Sequence, residues 1–266
     1  MRSLCAESRA SAFRQRYAEA SFGYETSPFE APRIALGGGR AMQVRGLVDR
    51  VDEASGPDGA TWIRAIDFKS GRTAFAPALA VRAIQIQLPL YLMALASGRP
   101  GFCRPAGFLY SPLFAAMQTA AGPADEGEEA AGLRNYRALG MFSRGVANAM
   151  DTTLEPGQNS KFVRLYMMND GCYSDNERKS DAVADEDLAL LLGHVRELLC
   201  QLGKDLLSGK AEAAPYCYGE QTPCAYCEAA DICRFDPRID SFREIPVESR
   251  EAVFARLRER READHA

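Results

Sequence analysis

Two carboxylates and one amine are spaced in this sequence in a way that suits metal chemistry. Asp49 lies in G-L-V-D-R-V-D at residues 46–52, and Asp67 and Lys69 lie in I-D-F-K-S-G at residues 66–71. Residues two apart on a strand point to the same face, so Asp67 and Lys69 project together, and Asp49 on an adjacent strand can join them. Two neighbouring carboxylates repel each other unless a cation lies between them, and hard oxygen ligands favour Mg²⁺ or Mn²⁺.

A divalent metal at such a site favours phosphodiester hydrolysis. A metal that contacts a phosphate oxygen and a water lowers the pKa of that water and neutralises charge building on phosphorus, while a nearby lysine can generate or position hydroxide. The D-x-K triplet alone leaves a simpler interpretation open. Asp49 could pair with Arg50 in a hairpin, and Asp67 and Lys69 could merely face solvent.

The elements that must position these residues follow from periodicity and turn residues. The pattern predicts a helix at 6–18, strands at 20–23, 34–36, 41–51, 61–68 and 107–110, a helix at 77–96, an amphipathic helix at 185–208, and a helix from Ser249 onward. A turn at 55–59 would place Asp49 and Asp67 on neighbouring strands. Residues 120–131 are predicted to be a mobile loop.

Composition limits the classes of protein that this chain can represent. Its 266 residues are 47% hydrophobic and 26% charged, which is typical of a globular fold. The net charge of −4 argues against a protein that coats polyanions, but residues 33–104 carry ten basic and five acidic side chains. No export signal or membrane-spanning segment is recognised, so a cytoplasmic protein is expected.

Three ordered motifs resemble those of the RecB-like branch of the PD-(D/E)xK nuclease superfamily: the two segments above and Q-L-P-L-Y at Gln87–Tyr91. The resemblance implies an α/β fold, with a restriction-endonuclease-like mixed sheet core flanked by helices, a C-terminal helical region and a Cys-rich tail. It also implies that Asp49 and Asp67 bind Mg²⁺ or Mn²⁺ and that Lys69 is catalytic. Gln87 and Tyr91, one helical turn apart, could contact DNA or orient the metal ligands, or could form only a surface hydrogen-bonded pair.

The C-terminal tail contains a second candidate metal site. Cys224, Cys227 and Cys233 form C-x₂-C-x₅-C, and close thiolates suit a soft metal, with zinc as acceptable as iron on chemistry alone. RecB-like nucleases of the AddB and Cas4 kinds carry a similar triplet, and the resemblance implies a 4Fe-4S cluster completed by an upstream cysteine. Cys5 is the candidate fourth ligand by position, whereas Cys217 is closer in sequence but lies outside the family pattern.

Further candidate residues surround the motifs. Glu19 resembles the acidic residue at the start of the first strand of the family and is a candidate metal ligand, or else an ordinary surface residue. Four arginines, namely Arg45, Arg50, Arg72 and Arg82, are candidates for contacts with the DNA backbone, and their alternative role is solubility.

The resemblance extends over about nine-tenths of the chain to the C-terminal nuclease domain of the B subunit of the AddAB helicase-nuclease. It implies a nuclease domain at 1–216 with an inserted helical region at about 120–210, and an iron-sulfur segment with a C-terminal helix at 217–266. The implied function is exonuclease action on DNA during double-strand break processing and recombinational repair, together with an AddA-type helicase partner. The sequence has no G-x-x-x-x-G-K-[ST] motif and so no ATP-driven motor, as expected for a C-terminal fragment or split gene product.

Two other functions fit the same residues. The first is a non-catalytic module that binds and docks on DNA, in which the metal ligands are incomplete. The second is a Cas4-like stand-alone iron-sulfur nuclease that trims DNA ends for integration, although the AddB-like region at 136–216 argues against it.

Overall fold

The computed structural model describes residues 2–56, 59–97, 103–113, 136–210 and 212–265. The strands are β1 (Arg14–Phe22), β2 (Arg33–Gly37), β3 (Arg40–Gln43), β4 (Gly46–Ser55), β5 (Thr61–Lys69), β6 (Cys103–Pro112), β7 (Leu139–Ser143), β8 (Ala182–Val183), β9 (Tyr216–Tyr218) and β10 (Arg243–Ile245). The α-helices are α1 (Arg2–Ala10), α2 (Pro77–Ala80), α3 (Gln87–Ser97), α4 (Ala147–Met150), α5 (Asp185–Leu207), α6 (Ala230–Cys233) and α7 (Arg250–His265).

Within these ranges, six strands form one mixed sheet in the order β1-β4-β5-β6-β7-β8. Strands β5 and β6 are parallel, as are β7 and β8, and the other neighbours are antiparallel. The connection from β5 to β6 contains α2 and α3, because parallel neighbours need a crossover. The expected mixed α/β architecture, a sheet flanked by helices, is confirmed.

Each face of the sheet buries its own hydrophobic cluster. One cluster packs α3 and α5 onto the sheet and includes Ile63, Phe108 and Leu92, while the other includes Ile66, Phe142 and residues of α4. Helix α5 matches the predicted amphipathic helix, because its apolar residues recur at helical spacing and bury one face. Among the described residues no helix has both the length and the apolar character needed to cross a bilayer.

The predicted helix at 6–18 is wrong beyond residue 10. Helix α1 ends at Ala10, and the R-Q-R-Y-A-E-A-S-F segment is β1, which forms an edge of the sheet. An edge strand pairs on one side only and most of β1 faces solvent, so the apolar alternation of a buried strand is weak there. The Arg, Glu and Ala residues in the segment also have high helix propensity, which favoured the wrong element.

Other boundaries also differ from the prediction. The predicted strand at 41–51 divides into β3 and β4, and the predicted helix at 77–96 divides into α2 and α3, with Ala83 between them at φ +65°. The region from 136 to 210, predicted to belong to a helical insertion, contributes β7 and β8 to the main sheet. The loop predicted at 120–131 and residues 57–58 of the predicted turn lie outside the described residues.

A buried cluster of charged side chains attaches α1 to the sheet. Asp52 and Arg64 on adjacent strands are both fully buried, and Asp52 accepts hydrogen bonds from Arg64 and Arg50. Glu7 of α1 accepts from both arginines, at 2.6 Å from Arg64 Nη2 and 3.3 Å from Arg50 Nη1. The Arg64 guanidinium also lies 4.6 Å from the ring centroid of Phe13. Each buried charge therefore has an opposite charge beside it.

Candidate active site

The candidate site lies where β4 and β5 separate. The two strands pair as far as Arg50 and Ile66, after which β4 continues along β1 and β5 continues along β6. Asp49 and Asp67 are the next residues on either side of this opening. Asp49 Oδ2 accepts a hydrogen bond of 2.7 Å from the backbone N-H of Phe68, a residue that lies beyond the last paired residues of β4 and β5. The predicted placement of both aspartates on neighbouring strands thus matches the geometry.

Asp67 and Lys69 form an ion pair at this opening. Lys69 Nζ lies 2.5 Å from Asp67 Oδ2, and Asp67 is 5% exposed, so the pair does not simply face solvent. The contact does not have hydrogen-bond geometry, so the Lys69 ammonium compensates the charge of this buried oxygen without forming an aligned hydrogen bond. A divalent cation between the two aspartates would add a coordinating partner for both carboxylates.

Glu19 lies on β1, the strand that neighbours β4, at the level of the two aspartates. By the register of β1 with β4, Glu19 lies opposite Asp49, and its backbone has the left-handed φ of +49°. Tyr17 and Ala20 pack against the same core cluster although they are three residues apart, so this kink shifts the alternation of β1. Glu19 itself is exposed, and within the described ranges no three His, Cys, Asp or Glu side chains converge as metal ligands.

The third motif packs over the beginning of β4. Gln87 Nε2 donates a hydrogen bond of 2.9 Å to Tyr91 Oη, so these two side chains form the surface pair that was one of their two predicted roles. The Tyr91 ring meets Phe22 edge-on, with centroids 5.8 Å apart. A Cβ on Gly46 would lie 2.8 Å from the Phe22 ring and 3.3 Å from Tyr91, which explains why a glycine precedes the first aspartate at this distance.

Tyr110 is a site residue that the sequence interpretation missed. It lies on β6 beside Asp67 in the parallel register, it is 4% exposed, and its ring centroid is 5.3 Å from Lys69 Nζ. Burial, and then the charge of Asp67, raise the pKa of Tyr110 to about 12, so the phenol is neutral at physiological pH. The predicted strand at 107–110 contained this residue, but only its register with β5 brings it to the lysine.

Two of the four predicted DNA-binding arginines have structural partners instead. The prediction for Arg50 is wrong, because its side chain is 7% exposed and pairs with Asp52 and Glu7. Burial lowers the pKa of Arg50, but the hydrogen bonds and charges of those carboxylates outweigh burial and leave the pKa above its ordinary value. Arg82 Nη2 lies 3.0 Å from Glu248 Oε2, so its charge is already paired within the fold.

Arg45 and Arg72 remain available at the surface. Both are exposed, and Arg45 immediately precedes β4, with its guanidinium 5.2 Å from the ring centroid of Tyr24. Arg72 follows the D-x-K motif by three residues. The two exposed arginines therefore flank the motifs that carry the aspartates and the lysine.

The cysteine tail does not form a metal site in this structure. Cys227 and Cys233 are exposed and Cys224 is half-buried, and Cys5, the predicted fourth ligand, is exposed on α1. Within the described part of the chain these thiols do not meet as a ligand group, so their arrangement does not support a 4Fe-4S cluster. The tail also buries little apolar surface of its own, with Tyr226 92% exposed.

Comparison with known proteins identifies a family and a group of named relatives. The family described as the PD-(D/E)XK nuclease superfamily matches residues 2–234. Relatives named as the B subunit of an ATP-dependent helicase/deoxyribonuclease include that of Symbiobacterium thermophilum, 33% identical over 86% of this chain and 20% of the relative. Those of Moorella thermoacetica and Bacillus licheniformis are 32% and 29% identical, over 90% and 98% of this chain and 21% and 23% of the relatives. The chain thus spans about a fifth of the length of these relatives.

Proposed function

The chain belongs to the PD-(D/E)XK nuclease superfamily, and from that premise we propose that it hydrolyses DNA phosphodiester bonds with a divalent metal held by Asp49 and Asp67. The observation that carries the proposal is the opening between β4 and β5. It places the two carboxylates on either side of a gap, with the ammonium group of Lys69 paired to Asp67 beside them.

The residues present fit Mg²⁺ or Mn²⁺. Mg²⁺ is commonly held by one or two carboxylates, with waters and substrate phosphates in its other positions, so two aspartates suffice. When bound, such a metal polarises a phosphate oxygen and lowers the pKa of a coordinated water. Glu19 lies in the same row of the sheet and would join as a ligand only if its exposed side chain turned toward Asp49.

The protein supplies position and charge around that metal. Asp49 is held in place by the Phe68 N-H, which fixes the orientation of its carboxylate across the opening. Lys69 keeps its ammonium group against Asp67 while its side chain remains 33% exposed, so part of the side chain stays open to an approaching phosphate. That ammonium can orient the attacking oxygen and stabilise charge on the phosphoryl oxygens.

Substrate binding would depend on the phosphate backbone. Arg45 and Arg72 are exposed cations on either side of the motifs, and phosphate contacts of this kind hold DNA without reading its sequence. Gln87, exposed at the beginning of α3, is a further candidate for a contact with the DNA backbone. The proposed DNA binding should therefore weaken as salt concentration rises.

The wider role follows from the names of the relatives. We propose that the chain is the nuclease part of a helicase-nuclease of the AddAB type that acts as an exonuclease in double-strand break processing, with unwinding supplied by an AddA-type helicase partner. The similarity to the helicase/deoxyribonuclease relatives supports this role. The predicted 4Fe-4S cluster has no step in the proposed reaction, and a visible spectrum of anaerobically purified protein would test it.

The function is tested with end-labelled linear DNA and the 266-residue chain, with Mg²⁺ or with EDTA. We expect Mg²⁺-dependent cleavage that falls by a factor on the order of 100 or more in Asp49→Asn, Asp67→Asn and Lys69→Met. The matched control is Asp236→Asn, because Asp236 pairs with Arg238 away from the two motifs.

Cleavage by Asp67→Asn at the rate of the unaltered chain would refute the proposed site. DNA binding that is equal with and without Mg²⁺, in the absence of any cleavage, would instead favour the non-catalytic docking module.

A further inference from the structure

The contacts of Lys69 extend beyond the carboxylate of its own motif, to a tyrosine on the next strand. We propose that Tyr110 is a positioning residue whose ring face holds the Lys69 ammonium against Asp67. This inference rests on the proposed nuclease function and adds to it a residue outside the three motifs.

The geometry favours an interaction between the cation and the aromatic face. Lys69 Nζ lies 5.3 Å from the ring centroid of Tyr110, within the roughly 6 Å at which an ammonium is attracted to a ring. The ring cannot move away easily, because Tyr110 is 4% exposed and belongs to the core cluster on that face of the sheet. The lysine, by contrast, is 33% exposed and has a flexible four-carbon stem. A fixed ring therefore limits the positions of a mobile ammonium.

The pairing of β5 with β6 produces this arrangement. Their parallel register sets Asp67 beside Tyr110 and Lys69 beside Pro112, and both Asp67 and Lys69 lie on the same face of β5. The ammonium thus lies between the carboxylate of one strand and the ring of the next. Without the ring, Lys69 could extend into water, where an ammonium is strongly hydrated.

The ring, rather than the hydroxyl group, is the part of Tyr110 that acts. The ammonium lies over the face of the ring, 5.3 Å from its centroid, and the ring is 4% exposed. Phenylalanine offers a similar ring face to a cation, whereas leucine fills part of the space without one. The two substitutions therefore separate the effect of the ring from that of the hydroxyl.

Tyr110 also connects Lys69 to the third motif. Tyr91 packs against the core cluster that contains Tyr110, and Gln87 donates a hydrogen bond to Tyr91. Helix α3, which carries this motif, packs on β6, the strand of Tyr110. The Q-x-x-x-Y motif can contribute to the site in this way without touching the scissile phosphate.

The first test is a double-mutant cycle on Mg²⁺-dependent DNA cleavage. We expect Tyr110→Phe to keep kcat within about twofold and Tyr110→Leu to lower it by about tenfold with little change in KM, which corresponds to about 1.4 kcal/mol. In the Lys69→Met background, Tyr110→Leu should have no further effect, because a residue that acts through the lysine has nothing left to position. Phe142→Leu, a change of a fully buried ring on the other face, is the control for core damage.

The second test needs no activity. Protons above an aromatic ring are shifted upfield, so the side-chain ε-methylene resonance of Lys69, assigned by its loss in Lys69→Met, should be upfield in the unaltered chain and in Tyr110→Phe. It should return to the ordinary lysine position in Tyr110→Leu.

The outcomes separate this inference from the proposed function. Equal effects of Tyr110→Leu in both backgrounds, a Tyr110→Phe variant as impaired as Tyr110→Leu, or an unshifted Lys69 resonance would overturn the role of Tyr110. Cleavage that persists in Asp67→Asn would instead overturn the proposed function, and the resonance would still decide whether the ring holds the lysine.

Discussion

The most direct test of the fold around the site is the substitution Asp52→Ala. Asp52 is fully buried on β4, three residues after Asp49, and its carboxylate accepts four hydrogen bonds. Two come from Arg50, at 2.7 and 2.8 Å, and two from Arg64, at 2.9 and 2.8 Å. Removing the carboxylate leaves two buried guanidinium groups with only Glu7 as a charged partner among the described residues.

The expected cost is large because of what remains after the substitution. Breaking a buried ion pair by removing one partner costs about 3–5 kcal/mol, since it leaves an uncompensated charge in the interior. Here one carboxylate serves two buried arginines, so we expect the upper part of that range. A protein of ordinary stability has only about 5–15 kcal/mol between its folded and unfolded states, so the variant should be close to unfolding.

The assay is urea unfolding followed by the fluorescence of Trp62. It is the single tryptophan of the chain, 8% exposed on β5, and therefore reports directly on the strand that carries Arg64. The matched control is Asp236→Ala, because Asp236 also pairs with an arginine two residues away, but on the surface, where ion pairs contribute little. If Asp52→Ala unfolds at the same urea concentration as Asp236→Ala, the reasoning about the buried cluster is wrong.

Three further substitutions have definite expected results. Gly46→Ala should lower the free energy of unfolding by about 1–3 kcal/mol and reduce cleavage, because its Cβ would lie 2.8 Å from the fully buried Phe22 ring. Gly193→Ala is the control, because a Cβ there meets open space and should not destabilise the fold. Urea titrations of the two variants compare their stabilities. Burial lowers the pKa of His194 below its ordinary value of 6.5. As the pH drops from about 7.5 to about 5.5, the unfolded state therefore binds more protons than the folded state, and the free energy of unfolding should fall. Unfolding of His194→Gln should show a smaller dependence over this range, and an unchanged slope would contradict the assignment. Mg²⁺ at about a hundred times its dissociation constant should stabilise the unaltered chain by about 2.7 kcal/mol in a thermal unfolding assay but leave Asp67→Asn unaffected, and an equal gain in both would place the metal elsewhere.

The sequence by itself determined the local parts of the candidate site. The D-x-K spacing puts Asp67 and Lys69 on one face of a strand wherever that strand lies, because side chains alternate along a strand. The Q-x-x-x-Y spacing likewise puts Gln87 and Tyr91 on one helical face, and their hydrogen bond needs no other element. Helix α5 was predictable for the same reason, since an amphipathic helix carries its own period.

Only the tertiary structure decided which residues meet across strands. The role of Arg50 was misjudged because its side chain pairs with Glu7, a residue 43 positions away in sequence. Strand β1 was misjudged because its exposure follows from its place at the edge of the sheet. Tyr110 reaches Lys69 only through a parallel pairing made after a helical crossover, and the separation of β4 from β5 depends on four strands together, since β4 follows β1 and β5 follows β6. Such contacts depend on long-range register, which local spacing does not encode.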